Sequence, residues 1–518
     1  MSMARRDATG RMRPEVADFA HRLVQVGERL IAGNAEGTIV LLVLLAYIAV
    51  WMLFWTVSTA SVDVHVDADE ALIWAQHFAF GYKHPPMTGW LFALWFAVLP
   101  RQQWAVDLLS VTTLAVALAV TWRLLRDHLD KNRALLGLLA LFLVPLYDVK
   151  AEVLNANTVT VPFWAATLLF YLRARRGLGV LDASLAGAFA SLTMLGKYWA
   201  VFLLAGMAVA SVVGPGARRF WRSPAPYVMA AGAAVVIAPH VWWLVSERGG
   251  GSIQFAASVA IHASFGNALT QSVLYLLGAA AYIVGPLTVL VALRPSRVAL
   301  ADIVWPADDD RRQVLVLLLV PLILPALVNL VTPYRLTADW TFPNWAPLPV
   351  VLYASHYIII DERAVARAGL AVLAMILAML IASPVIACVR LMNSRDENRT
   401  HFRQVAEMAD SLAGKPTQLF WGSADITSGL PFYLPQARPI PVDPLSVEGR
   451  AASSIHGLLV VCMIGDAPCQ ETGKTLANAG ARSITATFER SFLGLTSPPR
   501  SYQITVVPLA QTPARTTE

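Results

Sequence analysis

Residues 37–58 read GTIVLLVLLAYIAVWMLFWTVS, 22 positions without a charge. A helix of roughly 20 apolar residues crosses the hydrocarbon core of a bilayer. The run is too long for the core of a cleaved signal, and residues 1–36 ahead of it are polar and Arg-rich. It reads as a retained first span behind a cytoplasmic N-terminal segment, 1–36. The rest of the chain repeats the theme. Its 518 residues are 57% hydrophobic and 14% charged, where soluble proteins carry about 25% charged residues. Further apolar blocks lie at 104–123, 134–148, 157–172, 180–196, 198–213, 226–245, 268–293, 313–331, 344–360 and 367–389.

A shorter piece decides the topology. Residues 86–100, PMTGWLFALWFAVLP, are flanked by prolines. If they span, the basic loops 123–133 (RLLRDHLDKNR) and 173–176 (RARR) face outward, against the tendency of Lys and Arg to stay inside. If they lie in the interface or re-enter, 123–133, 173–176, 218–222, 294–312 and 361–367 all share the cytoplasmic side. The second arrangement satisfies five loops at once. It predicts an all-α polytopic membrane bundle over 37–390, with eleven spans plus an interfacial helix. The loops 59–103, 148–157, the junction near 197, 246–267 and 332–343 then face outward. From about 391 the composition turns polar, with Pro and Gly. VAEMADSLAG (405–414) reads as a helix, and TQLFWG (417–422), GLLVVCMI (457–464) and SYQITVVPL (501–509) as strands. The tail, 391–518, is thus expected to be a small α/β extramembranous domain on the outer side. Cys462 and Cys469 there are either a disulfide, if the compartment is oxidising, or two unpaired core residues.

Composition and motifs exclude several classes. The net charge of +6 comes with basic residues in short loops, where they orient the chain, so no nucleic-acid partner is expected. There is no Walker loop, dinucleotide fingerprint, HExxH or paired CxxC. That argues against an ATP-driven pump and against a nucleotide cofactor.

The outward loops collect the polar chemistry. HVDADEALIWAQHFAFGYKHPPMTGW (65–90) sets Asp67, Asp69 and Glu70 just beyond the first span. Its segment 69–80 can form a short amphipathic helix, and Pro85–Pro86 fix an extended entry into the next helix. A solvated acidic loop tip is the plain alternative. Sugar transfer needs a base for the acceptor hydroxyl and cations for the departing phosphate. Asp69 fits the first role. Lys83, His84, Lys150, Lys197 and Arg335 fit the second. Lys197 interrupts an apolar stretch, SLTMLGKYWAVFLL, so it needs an anionic partner or must snorkel to the interface. YDVKAEVLNANTVTVPFW (147–164) offers Asp148, Lys150, Glu152, Asn155 and Asn157, although Asn at a helix start often only caps it. TPYRLTADWTFPNWAP (332–347) offers Tyr334, Arg335, Asp339, Asn344 and Trp345, with an aromatic belt as the alternative. His240 lines a cavity or satisfies a backbone carbonyl.

With the Asp-Glu pair beyond the first span, GYKHPP, NANTVTVPFW, GKYWAVF and PNWAP in that order, the chain resembles the membrane glycosyltransferases of the C-type fold. It is most similar to the bacterial branch related to protein mannosyltransferases and the lipid A aminoarabinose transferase. Within that branch it resembles the rhizobial-type enzymes that place uronic acid on lipopolysaccharide. The resemblance covers about 37–360. It implies an inner-membrane enzyme with its site on the periplasmic face, a polyprenyl-phosphate sugar donor, and a lipid or polysaccharide acceptor such as lipid A or lipopolysaccharide core. By the family's motif, Asp69 is the catalytic carboxylate and Glu70 its neighbour. Lys83, His84, Lys197, Tyr198, Asn155, Asn157 and Arg335 are the expected substrate contacts. His84 stands where the aminoarabinose transferases place a Lys, which shifts the phosphate toward Lys83 or Lys197. Asn157 falls near their second Asp, so the resemblance leaves a divalent cation open and carries over no cofactor. A monomer amid membrane lipids is expected. The rival reading is a transporter or flippase of a lipid-linked sugar.

Overall fold

The computed structural model describes residues 14–75, 79–81, 84–246, 255, 258, 260, 264–393, 400–413, 418–427, 429–440, 444–446, 448–449, 452–453 and 457–507. The chain is a polytopic helical membrane protein. Among the described residues five helices are long and apolar enough to cross a membrane, and up to seven if each of two bent pairs is one span. Two compact units divide it. One comprises Met1–Met52, Ala79–Thr88 and Leu108–Met379; the other comprises Leu53–Phe78, Gly89–Asp107 and Leu380–Glu518.

The helices follow the apolar blocks closely. They are α1 (Pro14–Gly33), α2 (Glu36–Ser58), α3 (Val66–Ala75), α4 (Met87–Phe96), α5 (Gln103–Arg126), α6 (Lys131–Leu141), α7 (Ala156–Gly177), α8 (Val180–Gly196) and α9 (Val201–Val212). Then come α10 (Ala225–Ser246), α11 (Phe265–Tyr282), α12 (Val284–Ala292), α13 (Asp309–Val331), α14 (Leu348–Tyr353) and α15 (Glu362–Met392). At ten residues, α4 is about 15 Å long, half of a bilayer core, as 86–100 requires if it does not span. Four differences stand out. The block 134–148, expected as a span, is helical only to Leu141 and bends by 80° into the 3-10 turns at Pro145–Glu152. The block 268–293 bends by 49° between α11 and α12. The block 344–360, expected as a span, is instead the end of a 3-10 stretch, Ala338–Trp345, and the six-residue α14. Its prolines, Pro343, Pro347 and Pro349, each lack an N–H and interrupt the α-helical ladder. The polar, Arg-rich segment 1–36, for which the sequence predicts no element, contains the 20-residue α1.

Within the first unit, α8 and α10 meet through small residues. A Cβ on Gly187 would come within 1.9 Å of the Met229 carbonyl oxygen, and one on Gly232 within 2.7 Å of the Ser184 carbonyl oxygen. Helices that share no hydrophobic drive in lipid associate by such close backbone approach. The basic loops gather at one end of this unit. Arg173 pairs with Asp127 at 2.5 Å, Arg176 with Asp310 at 3.4 Å, and Arg363 with Glu28 at 3.9 Å. Arg173 and Asn157 lie on the same helix, α7, about 24 Å apart along its axis. Asn157 therefore sits at the end opposite the basic loops.

Within the second unit, the tail forms a three-layer α/β domain. Its strands are β1 (Leu419–Gly422), β2 (Arg438–Pro439), β3 (Leu458–Met463), β4 (Arg482–Phe488), β5 (Ser491–Phe492), β6 (Leu495–Thr496) and β7 (Arg500–Val507). The five-stranded sheet runs β2-β1-β3-β7-β4, and β5 pairs with β6. The β2-β1-β3 pairs are parallel and the β3-β7-β4 pairs antiparallel. Successive residues of a strand face opposite sides. Leu459 and Val461 of β3 accordingly pack with α16 (Phe402–Ala413), through Phe402, Val405 and Ala409. Leu458, Val460 and Cys462 pack with α17 (Ala467–Asn478), through Cys469 and Leu476. Both faces are covered, which is why β3 reads as an unbroken apolar run. Cys462 and Cys469 are joined in a disulfide. Arg490 ties in the segment after α2, pairing with Asp63 at 2.5 Å and donating to the Ser61 carbonyl at 3.3 Å.

His401 gives the tail an acid sensitivity. It is 2% exposed, and its Nδ1 lies 3.0 Å from the Tyr502 hydroxyl. Burial first, then the nearby Arg490 and Arg500 charges, push its pKa down to about 3. The folded imidazole stays neutral while the unfolded one takes a proton below about pH 6.5. Stability present above that value is thus lost as pH falls toward 3. By pH 5 the expected loss is about 2 kcal/mol. The midpoint of urea-dependent proteolysis of the tail should drop between pH 7 and pH 5, and His401→Gln should flatten that drop. Parallel drops in both proteins would assign the acid sensitivity elsewhere.

Candidate functional site

The first unit brings several of the expected residues together at the end of α7 and α8. Asn155 is the N-cap of α7, its Oδ1 accepting from the Asn157 and Thr158 amides at 2.9 and 3.4 Å. This is the capping role, and it turns the next residues into the helix. Asn157 Oδ1 accepts from Lys197 Nζ at 2.6 Å. Lys197 is the C-cap of α8, where the partial negative charge of the helix end favours a cation. Its ammonium also stands over the Trp340 ring, 4.3 Å from the centroid. Trp199 packs edge-on against that ring at 4.8 Å. Lys197 thus meets an amide oxygen and an aromatic face.

A second cation lies close by. Lys150, in a 3-10 turn over Val149–Glu152, donates to Asp339 Oδ1 at 2.5 Å. The Tyr282 hydroxyl, at the break between α11 and α12, donates to the same oxygen. Burial works against the Asp339 charge, but the hydrogen bonds from Lys150 and Tyr282, with the charges of Lys150 and Lys197, outweigh it. The carboxyl is held below the usual range and stays ionised. The ammonium groups of Lys150 and Lys197 thus both act on the one Asp339 carboxylate.

A third link seats the incoming loop. His240 Nδ1 lies 2.6 Å from the Phe80 carbonyl oxygen, which can only accept, so that nitrogen carries the proton. Its Nε2 is then free to accept from the Tyr198 hydroxyl at 2.8 Å. The histidine does satisfy a carbonyl. Gly81 lies so close to Trp243 that a Cβ would meet its ring at 2.4 Å. His84 packs edge-on to Phe255, with centroids 4.8 Å apart. Lys83 lies outside the described residues. Arg335 is exposed and makes no ion pair among the described residues.

The second unit holds the expected carboxylates. Asp69 and Glu70 belong to α3, which begins earlier than the predicted 69–80. Acidic residues near a helix N-terminus suit its dipole. Ala68, Ala71 and Leu72 bury one face of α3, and Val66 packs against the tail core. The Val64 amide lies 3.4 Å from the Tyr433 hydroxyl. The helix carrying Asp69 is therefore fixed on the tail domain. Glu70 is half-buried, while the Asp69 side chain lies outside the described residues. Among the described residues no three His, Cys, Asp or Glu side chains gather as a metal site.

Sequence reasoning missed Tyr282 and Trp340. Tyr282 sits in an apolar run with only the neighbouring bend to mark it. Trp340 adjoins Asp339 in a stretch readable as an aromatic belt.

Residues 83–243 match the family described as dolichyl-phosphate-mannose-protein mannosyltransferase. The matched stretch contains His84, Asn155, Asn157, Lys197, Tyr198 and His240, and begins after Asp69 and Glu70. The lipid A galacturonosyltransferase RgtD of Rhizobium johnstonii is 25% identical over 304 residues, which span 55% of this chain and 58% of that protein. Crystal structures of ArnT from Cupriavidus metallidurans share the fold. The one bound to undecaprenyl phosphate matches with a TM-score of 0.57 at 13% identity, covering 91% of this chain and 98% of that one. The apo form gives 0.57 at 13%, covering 89% and 97%. In its fold and in the 83–243 segment, this chain is similar to the C-type-fold membrane glycosyltransferases of the protein mannosyltransferase and lipid A transferase kind.

Proposed function

We propose that the chain transfers a sugar from a polyprenyl-phosphate donor to a lipid A-type acceptor at the periplasmic face of the inner membrane. The observation that carries this reading is the Lys197 ammonium, held by Asn157 and Trp340 beside the Lys150–Asp339 pair. A leaving phosphate needs fixed cations, and a polar cluster at one helix end suits a carrier whose chain already lies in the bilayer. The undecaprenyl phosphate bound to ArnT and the lipid A specificity in the name of RgtD support the donor and acceptor classes.

The chemistry is one displacement. The acceptor hydroxyl oxygen bonds to the anomeric carbon as the bond from that carbon to the phosphate oxygen breaks. Asp69 takes the hydroxyl proton, with Glu70 beside it. Polyprenyl phosphate leaves with the bonding pair, its charge met by Lys197, with Lys83 and His84 as further contacts. Inversion at the anomeric carbon follows. Tyr198 positions His240 and, through it, the backbone at Phe80. In this reading the tail and loops 59–103, 148–157 and 332–343 face the periplasm, with an eleven-span count. The Cys462–Cys469 disulfide supports an oxidising compartment for the tail.

Mass spectrometry of envelope lipids tests the reading. A deletion strain should lack one glycosyl increment on a lipid A species, restored by the intact gene. Identical glycolipid profiles in the two strains would refute it.

A further inference from the structure

The second unit contains an open cavity of about 390 Å³ in front of α5, lined by the last turn of α2, the turn at 101–103, and α16. Among the described residues of the lining, Arg101 and Arg403 are the cations and Asp107 the carboxylate, two positive charges against one negative. Gln103 Nε2 donates to Asp107 Oδ1 at 2.9 Å. Arg101 Nη1 and Gln103 Oε1 are buried with no hydrogen-bond partner among the described residues. Among the described residues the Arg403 side chain pairs with Glu407 at 3.5 Å, an exposed pair that holds it weakly, while its backbone N–H donates to Asp63 Oδ2 at 3.4 Å.

A buried guanidinium N–H without an acceptor has lost its water and gained no partner, which disfavours the empty site. Burial also works against the Arg101 charge. An anion in the cavity would relieve both. Arginine forks match the paired oxygens of a phosphate or carboxylate. The volume falls in the range of small-ligand sites, about 300–1,000 Å³. One observation points to an amphiphile and a second to the acceptor. Leu94 and Val98, on α4 and just after it, are 62% and 85% exposed within the same unit, an apolar edge suited to acyl chains. Thr59 and Val62 of the lining precede Asp69 by about ten residues or fewer, so the cavity shares its loop with the proposed base.

We propose that this cavity receives the anionic group, phosphate or carboxylate, on the sugar head of the glycolipid acceptor, with Arg101 and Arg403 as its cationic contacts. The proposal rests on the transferase reading and assigns the acceptor's place in it.

The test uses the full chain in phosphatidylcholine nanodiscs and measures binding, not transfer. Probes are lipid A with both phosphates, its dephosphorylated form, phosphatidylglycerol, inorganic phosphate and undecaprenyl phosphate. Arg101→Gln and Arg403→Gln should each weaken binding of phosphorylated lipid A by about tenfold or more. Undecaprenyl phosphate should bind both variants as it binds the parent, and dephosphorylated lipid A should bind all three weakly. Arg403 is exposed, so its variant carries the test if Arg101→Gln fails to fold. Unchanged lipid A binding in the variants would overturn the proposal. So would an equal loss of undecaprenyl phosphate, which would give the cavity to the donor. Equal competition by phosphatidylglycerol or inorganic phosphate would reduce it to a general anion site and overturn it too. Normal lipid A binding with no sugar transfer would instead sink the transferase reading and leave this site standing.

Discussion

Asp69→Asn is expected to lower sugar transfer by on the order of 10³-fold, near the middle of the range for removing a general base. The change removes one charge and adds no volume, and Asp69 lies on a helix whose buried face is made by Ala68, Ala71 and Leu72. Expression and donor binding should therefore persist. An amide cannot take the hydroxyl proton at neutral pH, so the loss should fall on kcat and leave the donor KM near its parent value. Glu70→Gln, one position on, is expected to cost less because the neighbour supports the base and does not replace it. Equal losses for the two would mean that the pair acts jointly. Transfer by Asp69→Asn at the parent rate would remove Asp69 from the chemistry.

Lys197→Met comes second in size. Methionine keeps most of the length and an apolar stem, while the ammonium that stands over Trp340 is lost. Removing one preorganised electrostatic contact to a developing oxyanion costs about 10²–10³ in rate. The donor KM should also rise, because the ground-state phosphate already carries charge that Lys197 meets. Lys197→Arg should recover only part of the loss. The larger planar fork must fit beside Asn157 Oδ1, which now sits 2.6 Å from the ammonium. Kinetics with a polyprenyl-phosphate sugar as varied substrate would show the split. A Lys197→Met enzyme with unchanged KM and kcat would assign the leaving phosphate to other cations.

The membrane fold was legible because lipid leaves few choices. A charge-free run such as 37–58 must be a helix, and α2 occupies Glu36–Ser58. The block 180–196 became α8 with the same bounds. The segment 338–353 was not legible as what it is. Its apolar side chains are buried by neighbouring helices, so composition resembles a span while prolines shorten the helix. The amphipathic α1 was hidden by its charges. Its apolar positions Phe19, Leu23, Val24, Leu30 and Ile31 do recur at helical spacing, a signal that the Arg-rich leader masked.

The candidate site was half legible. Lys197 stood out as a charge inside an apolar stretch, yet its partners could not be read from the sequence. Asn157 and Trp340 lie 40 and 143 residues away and meet it only through tertiary packing. Asn155 carries the same side chain as Asn157 but spends it on the helix cap. Two positions separate a structural asparagine from one that holds the ammonium, and only the helix start decides which is which. In the tail, β4 and α17 escaped detection. β4, RSITATF, is half-exposed on both faces, and α17 has few apolar residues.

Reconstituted transfer tests the central claim most directly. Purified protein in liposomes, given a synthetic polyprenyl-phosphate sugar and lipid A, should release one polyprenyl phosphate for each glycosylated lipid A formed. The reaction should need the acceptor only on the side of the tail domain. Movement of the intact donor across the bilayer, with no glycosylated product and no free polyprenyl phosphate, would contradict the account and favour a flippase.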